Sequence, residues 1–181
     1  MALNLRSLGK AVRGTLRFLG IGGAPAAPPA RRRPAGTSSG TRRGGPVPGS
    51  YPGDFRGKAT VRYAPNANGV PEPGEIVWTW VPFEEDHSQG KDRPVLLVGS
   101  KGRYLLGLML TSKDHDGDPR RAANYVDIGT GPWDRQWRPS EARLDRVLQI
   151  DPAAVRREGA ILDAGRFRGV ATALRDRQGW S

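Results

Sequence analysis

The chain has 181 residues, of which 36% are hydrophobic, so it is long enough for one domain with a tail. It contains no cysteine, which excludes disulfide and thiolate chemistry and fits a cytoplasmic location. The formal net charge of +11 is unevenly placed: residues 1–70 carry 12 Lys and Arg and one acid, whereas residues 71–181 carry 17 of each sign. The basic excess therefore belongs to an N-terminal tail and does not indicate a basic folded surface.

The N-terminal tail has two parts. Residues 1–19 place Leu and Val at helical spacing among Arg and Lys, which predicts a short basic amphipathic helix that binds an anionic membrane or nucleic acid. A frayed extension is the alternative interpretation. Residues 20–70 are rich in Gly, Pro and Arg, which predicts a disordered linker whose arginine clusters either hold phosphates weakly or are simply solvated. No apolar run reaches the ~20 residues that a membrane-spanning helix needs.

Residues 71–181 have the pattern of a folded domain. Asp151-Pro152 is typical of a helix start and predicts a short helix over AAVRRE, and an apolar stripe predicts a terminal helix at residues 163–177. A mainly β domain with short helices follows: a small curled antiparallel sheet or SH3-like barrel with a C-terminal helix packed on it. Apolar and β-branched runs predict its strands at residues 75–81, 94–99, 104–110, 124–128 and 143–150. A helical turn is the alternative for the last of these runs.

Two polar pairs stand at the ends of neighbouring predicted strands. Arg93-Pro94 opens one strand, and Thr111-Ser112 closes the next. Polar side chains at such positions can form a reaction site on a small barrel. The alternative is an exposed loop charge and an ordinary strand-end cap. The two histidines, His87 and His115, have no metal-site spacing, so we expect no metal and no cofactor.

Several short motifs follow one another along residues 74–174: GEIVW, RPVLLVG, LMLTS, a segment at residues 140–155 and a final helix. Together they resemble the MazF/PemK-type toxins of toxin–antitoxin systems. The resemblance implies a barrel of the CcdB/PemK type that forms a homodimer. It further implies an endoribonuclease that cleaves single-stranded RNA, such as mRNA, at short sequences without a metal, and a cognate antitoxin as protein partner.

The resemblance also implies roles for individual residues. Arg93 and Thr111 match the Arg and Thr that act at the scissile phosphate, where the ribose 2′-hydroxyl attacks to leave a 2′,3′-cyclic phosphate and a 5′-hydroxyl. The chemistry suits these side chains, because a guanidinium matches the geometry of a phosphate and a hydroxyl adds a further donor. Ser112 is a candidate supporting hydroxyl.

The loop before the Arg-Pro pair supplies further candidates. His87 is a candidate acid or base because the pKa of a histidine can lie near neutrality, and a solvated loop residue is the alternative. Lys91 is a candidate RNA contact. Three successive acids at residues 84–86 are expected beside the RNA groove, where they would repel phosphate or act as a gate.

A second loop interleaves aromatic and basic residues. Trp133 and Trp137 flank Arg135 and Arg138 in PWDRQWRP, which favours stacking on single-stranded bases, with burial in the core or a dimer interface as the alternative. The later strand carries Asp145-Arg146 where the family has Asp-Gln, so a base-contacting Gln is missing. An alternative function is therefore a non-catalytic nucleic-acid-binding module of the same fold, tethered by its basic tail.

Overall fold

The computed structural model describes residues 51–181, which lie within the compact unit Arg42–Ser181. The helix predicted at residues 1–19 and the linker predicted at residues 20–50 lie outside the described residues. Within the described range, no helix is long and apolar enough to cross a membrane.

One six-stranded antiparallel sheet dominates the domain. The elements in chain order are β1 (Glu75–Pro82), β2 (Gly90–Lys101), β3 (Tyr104–Thr111), α1 (Pro119–Ala122), β4 (Tyr125–Gly129), β5 (Ser140–Ile150), a 3₁₀ turn (Pro152–Ala154), β6 (Val155–Ile161) and α2 (Ala164–Gln178). The spatial order of the strands in the sheet is β4-β5-β3-β2-β1-β6. The sheet curls into a half-barrel, so the prediction of a mainly β fold with a C-terminal helix is confirmed.

The central strands bury side chains on both faces of the sheet, which explains their nearly continuous apolar sequences. In β2, Leu96 and Val98 face the larger core cluster, whereas Val95 and Leu97 face a smaller one. Helix α2 covers the larger cluster. It begins after Asp163, whose carboxylate accepts hydrogen bonds from the first free backbone N–H groups. The apolar stripe that predicts this helix is buried and consists of Phe167, Val170, Ala171 and Leu174.

The helix predicted over AAVRRE is wrong. Only the 3₁₀ turn follows Asp151, and the chain then continues as β6, which pairs antiparallel with the free edge of β1 through two register shifts. Ala and Arg favour a helix locally, but pairing with an open sheet edge overrides that preference. The charged segment at residues 113–121, between β3 and β4, contains the start of the short helix α1.

The boundary predicted for the disordered linker at residue 70 is also wrong, because residues 51–64, which we call the strap, pack on the barrel. Ala59 and Val61 are buried in the larger core. Strand β4 pairs with β5 only as far as Arg143, which leaves the rest of that edge of β5 without a neighbouring strand among the described residues. There the Phe55 N–H of the strap donates to the Val147 carbonyl (2.7 Å). The strap therefore belongs to the folded domain although it contains no helix or strand.

An ion pair joins the strap to β5. The Nε of Arg146 donates to Asp54 Oδ2 (2.9 Å), and its Nη1 donates to the Pro82 carbonyl (2.8 Å). The Tyr51 hydroxyl donates to the other oxygen of Asp54 (2.5 Å). Arg146, at the position of the missing Gln, is thus a buried structural residue.

Candidate active site

A small cleft of about 120 Å³ opens beside the end of β3. The sheet order places β3 between β2 and β5, so side chains from three neighbouring elements meet there. The polar residues that line the cleft are Asp92 and Arg93 from β2, Thr111 and Ser112 at the end of β3, and Asp134, Arg138 and Ser140 from the loop into β5 and its first residue.

The strand register explains why Arg93 and Thr111 share this cleft. The ladder between β2 and β3 includes the pair Val95 and Met109. Continuing that register by two residues sets Pro94 across from Leu110 and Arg93 across from Thr111. Pro94 has no N–H to donate, and the ladder has no pair beyond Val95, so the strands part where the cleft opens. Strand β2 begins at Gly90, so Arg93 lies within the strand instead of opening it.

The charges around the cleft leave Arg93 unneutralised. Asp92 accepts a hydrogen bond from Arg156 Nη1 (2.7 Å), and Asp134 accepts one from Arg138 Nε (2.7 Å). Both acids of the cleft are thus engaged by other arginines. Among the described side chains, that of Arg93 is exposed and has no hydrogen-bond or ion-pair partner. Its guanidinium can therefore receive an anion without first breaking an internal ion pair.

The hydroxyl of Thr111 can also still donate a hydrogen bond. Its oxygen accepts a hydrogen bond from the Lys113 N–H (3.1 Å), and its own O–H has no acceptor among the described residues. A threonine hydroxyl can donate one hydrogen bond while accepting others. Thr111 can thus donate to an anion beside Arg93, and the adjacent Ser112 adds a second hydroxyl to the same cleft.

The loop between β1 and β2 lies away from the cleft lining. His87 packs edge-on against the Tyr51 ring of the strap, with ring centroids 5.1 Å apart. Lys91 lies over the Phe83 ring. Of the three acids, Glu84 forms an ion pair with Arg143, and Asp86 accepts hydrogen bonds from its own loop. None of these side chains lines the cleft.

The two tryptophans of the aromatic–basic loop differ in burial. Trp133 is 3% exposed, and its indole N–H donates to Ser140 Oγ (3.1 Å), so it belongs to the core although it borders the cleft. The prediction that Trp133 stacks on bases is therefore wrong, because its ring faces are covered. Trp137 is 61% exposed and has the left-handed backbone angle φ 54°, which a bulky side chain rarely adopts. Arg135 is exposed nearby.

Sequence reasoning named Arg138 only as a basic neighbour of the two loop tryptophans and assigned no role to Asp134. Their spacing of four residues in a loop is a weak signal, because only the folded loop brings the two side chains together. The hydrogen bond from Arg138 lowers the pKa of the Asp134 carboxyl below its usual value, so Asp134 stays ionised at neutral pH.

Sequence reasoning also missed a contact that steadies the chain after Thr111. Glu141 pairs with Thr111 across β3 and β5, and its carboxylate binds His115 Nδ1 (2.6 Å). The His115 ring stacks on Tyr125. Asp114, Asp116 and Glu141 bring three carboxylates within 4.8 Å of one another, the nearest approach to a cation-binding group in the described part of the chain. Glu141 is already engaged there by His115.

The profile of the PemK-like, MazF-like toxins of type II toxin–antitoxin systems matches residues 72–176. The chain belongs to this family. Solved structures similar to it include a MazE–MazF complex from Deinococcus radiodurans (19% identity, 62% of this chain, 98% of that chain, TM-score 0.45). The Mycobacterium tuberculosis toxin MazF-mt6 is also similar (16% identity, 59% of this chain, 98% of that chain, TM-score 0.42). Comparison with curated proteins gives no match. The strap residues before residue 72 fall outside the family match.

Proposed function

We propose that the chain is an endoribonuclease toxin that cleaves single-stranded RNA at the cleft between Arg93 and Thr111. The observation that carries the proposal is the pairing, in one cleft, of an arginine without an internal partner and a threonine hydroxyl that can still donate. Membership of the toxin family supports the same assignment. The charge of Arg93 takes the place that a metal ion holds in many nucleases.

In the proposed reaction the ribose 2′-oxygen attacks the adjacent phosphorus, and the bond from phosphorus to the 5′-oxygen breaks. Negative charge grows on the phosphorane oxygens, where Arg93 and Thr111 donate hydrogen bonds, with Ser112 in support. Neither histidine lines the cleft. Water therefore takes the 2′-hydroxyl proton and returns one to the 5′-oxygen, giving a 2′,3′-cyclic phosphate and a 5′-hydroxyl.

Further contacts are proposed outside the cleft. Lys91 lies two residues before Arg93 on the exposed end of β2, where alternate residues share a face, and it contacts a flanking phosphate. Trp137 is exposed beside Arg135 and stacks on a flanking base. The chain acts in the cytoplasm as a homodimer. A cognate antitoxin restrains it, as the crystallised pairing of MazF with MazE in Deinococcus radiodurans suggests.

A second candidate is a nucleic-acid-binding module without catalysis. The observation that favours it is the absence of a histidine from the cleft lining, together with the engagement of both lining acids by arginines. Such a site can bind phosphate but has no side chain placed as a general base. Binding of RNA without cleavage would decide for this candidate.

The test compares RNA cleavage by the full-length chain with cleavage by Arg93→Ala and Thr111→Val in buffer with EDTA. Electrostatic donors to a developing oxyanion contribute about 10²–10³ in rate. We therefore expect Arg93→Ala to cleave roughly that much more slowly, and Thr111→Val to lose less. Arg103→Ala is the matched control, because Arg103 lies in the hairpin turn at the other end of β2 and β3 and binds Tyr104. Equal rates for Arg93→Ala and Arg103→Ala would refute the site.

A further inference from the structure

Arg138 is held at the cleft by Asp134 with donors to spare. Its Nε donates to Asp134 Oδ2 (2.7 Å), and its Nη2 donates weakly to Oδ1 (3.4 Å). A guanidinium has five N–H donors, so three are left, including both on Nη1. The Asp134 side chain is 12% exposed, whereas that of Arg138 is 54% exposed, so the ion pair anchors the arginine from its inner side.

The loop is wound around Asp134 and does not depend on Arg138 alone. Asp134 Oδ1 accepts a hydrogen bond from the Gln136 N–H (3.0 Å), and the Asp134 carbonyl accepts one from the Trp137 N–H (2.9 Å). The left-handed backbone of Trp137 closes this turn immediately before Arg138. A guanidinium fixed in this way loses little conformational freedom when it binds a ligand.

We propose that Arg138 is a second phosphate-contacting residue, which binds the backbone phosphate next to the scissile one. The inference rests on the proposed function of the cleft and extends it. Arg93 and Arg138 enter the same cleft from β2 and from the loop into β5, on either side of β3. Arg93 shares its position with the Thr111 hydroxyl and takes the scissile phosphate. Arg138 is anchored by a carboxylate, which leaves its outer N–H groups to form a two-donor contact with the adjacent phosphate.

The first measurement is the affinity for a 2′-deoxy or 2′-O-methyl oligonucleotide, which cannot be cleaved by 2′-oxygen attack, over a range of salt concentrations. Each phosphate contact on a single strand contributes about −0.7 to the slope of log K against log salt. We expect Arg138→Gln to reduce the magnitude of the slope by about 0.7 and to raise the Kd roughly tenfold at low salt. Arg103→Ala, which removes a charge far from the cleft, is expected to leave both values near those of the wild type.

Removing Arg138 alone exposes the charge of Asp134, which would repel RNA even without a lost contact. The double variant Asp134→Asn/Arg138→Gln removes one charge of each sign and keeps the net charge. We expect the slope of log K against log salt for the double variant to fall in magnitude by the same ~0.7, because the phosphate contact is gone. A wild-type slope in the double variant would overturn the inference. A changed preference between oligonucleotide sequences at constant slope would also overturn it, because that result indicates a base contact.

The outcomes separate this inference from the proposed function. A lower slope for Arg93→Ala with an unchanged slope for the double variant would leave the cleft as the RNA site and overturn the role of Arg138. Failure of the wild-type chain to bind any oligonucleotide would overturn both. The tryptophan fluorescence spectrum, to which buried Trp133 beside Asp134 contributes as one of five tryptophans, reports whether each variant stays folded.

Discussion

Replacing Asp54 with Asn is expected to weaken the attachment of the strap strongly, because it removes the counter-ion of a buried arginine. Arg146 is 5% exposed, and the side chain of Asp54 is 26% exposed. The Nη2 of Arg146 has no partner in the described part of the chain, so the guanidinium depends on Asp54 and on the Pro82 carbonyl. The Asn side chain keeps the size of the acid and one acceptor but has no charge.

The magnitude follows from the burial of the two partners. Breaking a fully buried ion pair by removal of one partner costs about 3–5 kcal/mol. Asp54 is partly exposed, so water compensates some of the loss, and we expect a decrease of about 2–3 kcal/mol in the free energy of unfolding. With a urea dependence of about 1–3 kcal/mol/M, the midpoint of urea unfolding should fall by about 0.7–3 M.

The assay is equilibrium unfolding in urea at neutral pH, followed by tryptophan fluorescence. Glu85→Gln is the matched control, since it neutralises an exposed acid and should change the stability by less than about 0.5 kcal/mol. The double variant Asp54→Asn/Arg146→Met should recover part of the loss, because a buried apolar side chain needs no counter-ion. A midpoint for Asp54→Asn equal to that of Glu85→Gln would refute the reasoning.

Three further predictions concern the same domain. A chain that begins at Lys58 should unfold at lower urea than one that begins at Tyr51, because it lacks the Asp54 ion pair and the contact of Phe55 with Trp180; equal midpoints would contradict this. Partial burial alone would raise the pKa of Asp54, but hydrogen bonds from Arg146 and Tyr51 hold that pKa below its usual 3.8. The contribution of ionised Asp54 to the free energy of unfolding is therefore complete above about pH 4–5 and is lost as the pH falls below 3.8. The urea midpoint of the wild type should accordingly fall more steeply from about pH 5 to pH 2 than that of Asp54→Asn. Asp163→Ala should cost about 1 kcal/mol by removing the N-cap of α2, and an unchanged midpoint would count against the cap.

The sequence predicts those elements whose local pattern and final environment agree. The two apolar runs joined by a short turn become the hairpin of β2 and β3, and a register shift between Leu97 and Gly99 then brings Arg93 towards Thr111. Asp163 and the apolar stripe behind it become a capped helix. Continuous apolar runs identify the two strands, the helical period of the buried residues identifies α2, and neighbouring elements add to both preferences.

The parts of the fold and of the site that the sequence does not predict depend on contacts between residues that are distant in sequence. The strap has a linker-like composition, and Asp54 meets Arg146 across 92 residues of chain, so local patterns give no sign of the contact. Strand β6 forms from a helix-favouring segment because β1 offers an open edge. Trp133 and Trp137 share one loop, yet only Trp133 reaches the core and finds a partner in Ser140. The role of each residue is set by tertiary contacts and not by its neighbours in sequence.

The most direct test of the proposed reaction is the chemistry of the RNA ends that the full-length wild-type chain produces in EDTA. Mass spectrometry of the fragments should find a 2′,3′-cyclic phosphate on one side of the cut and a 5′-hydroxyl on the other. A single 2′-deoxy substitution at the cleaved nucleotide should abolish that cut. Fragments with 3′-hydroxyl and 5′-phosphate ends, or cleavage that survives the 2′-deoxy substitution, would contradict attack by the 2′-oxygen at the Arg93 cleft.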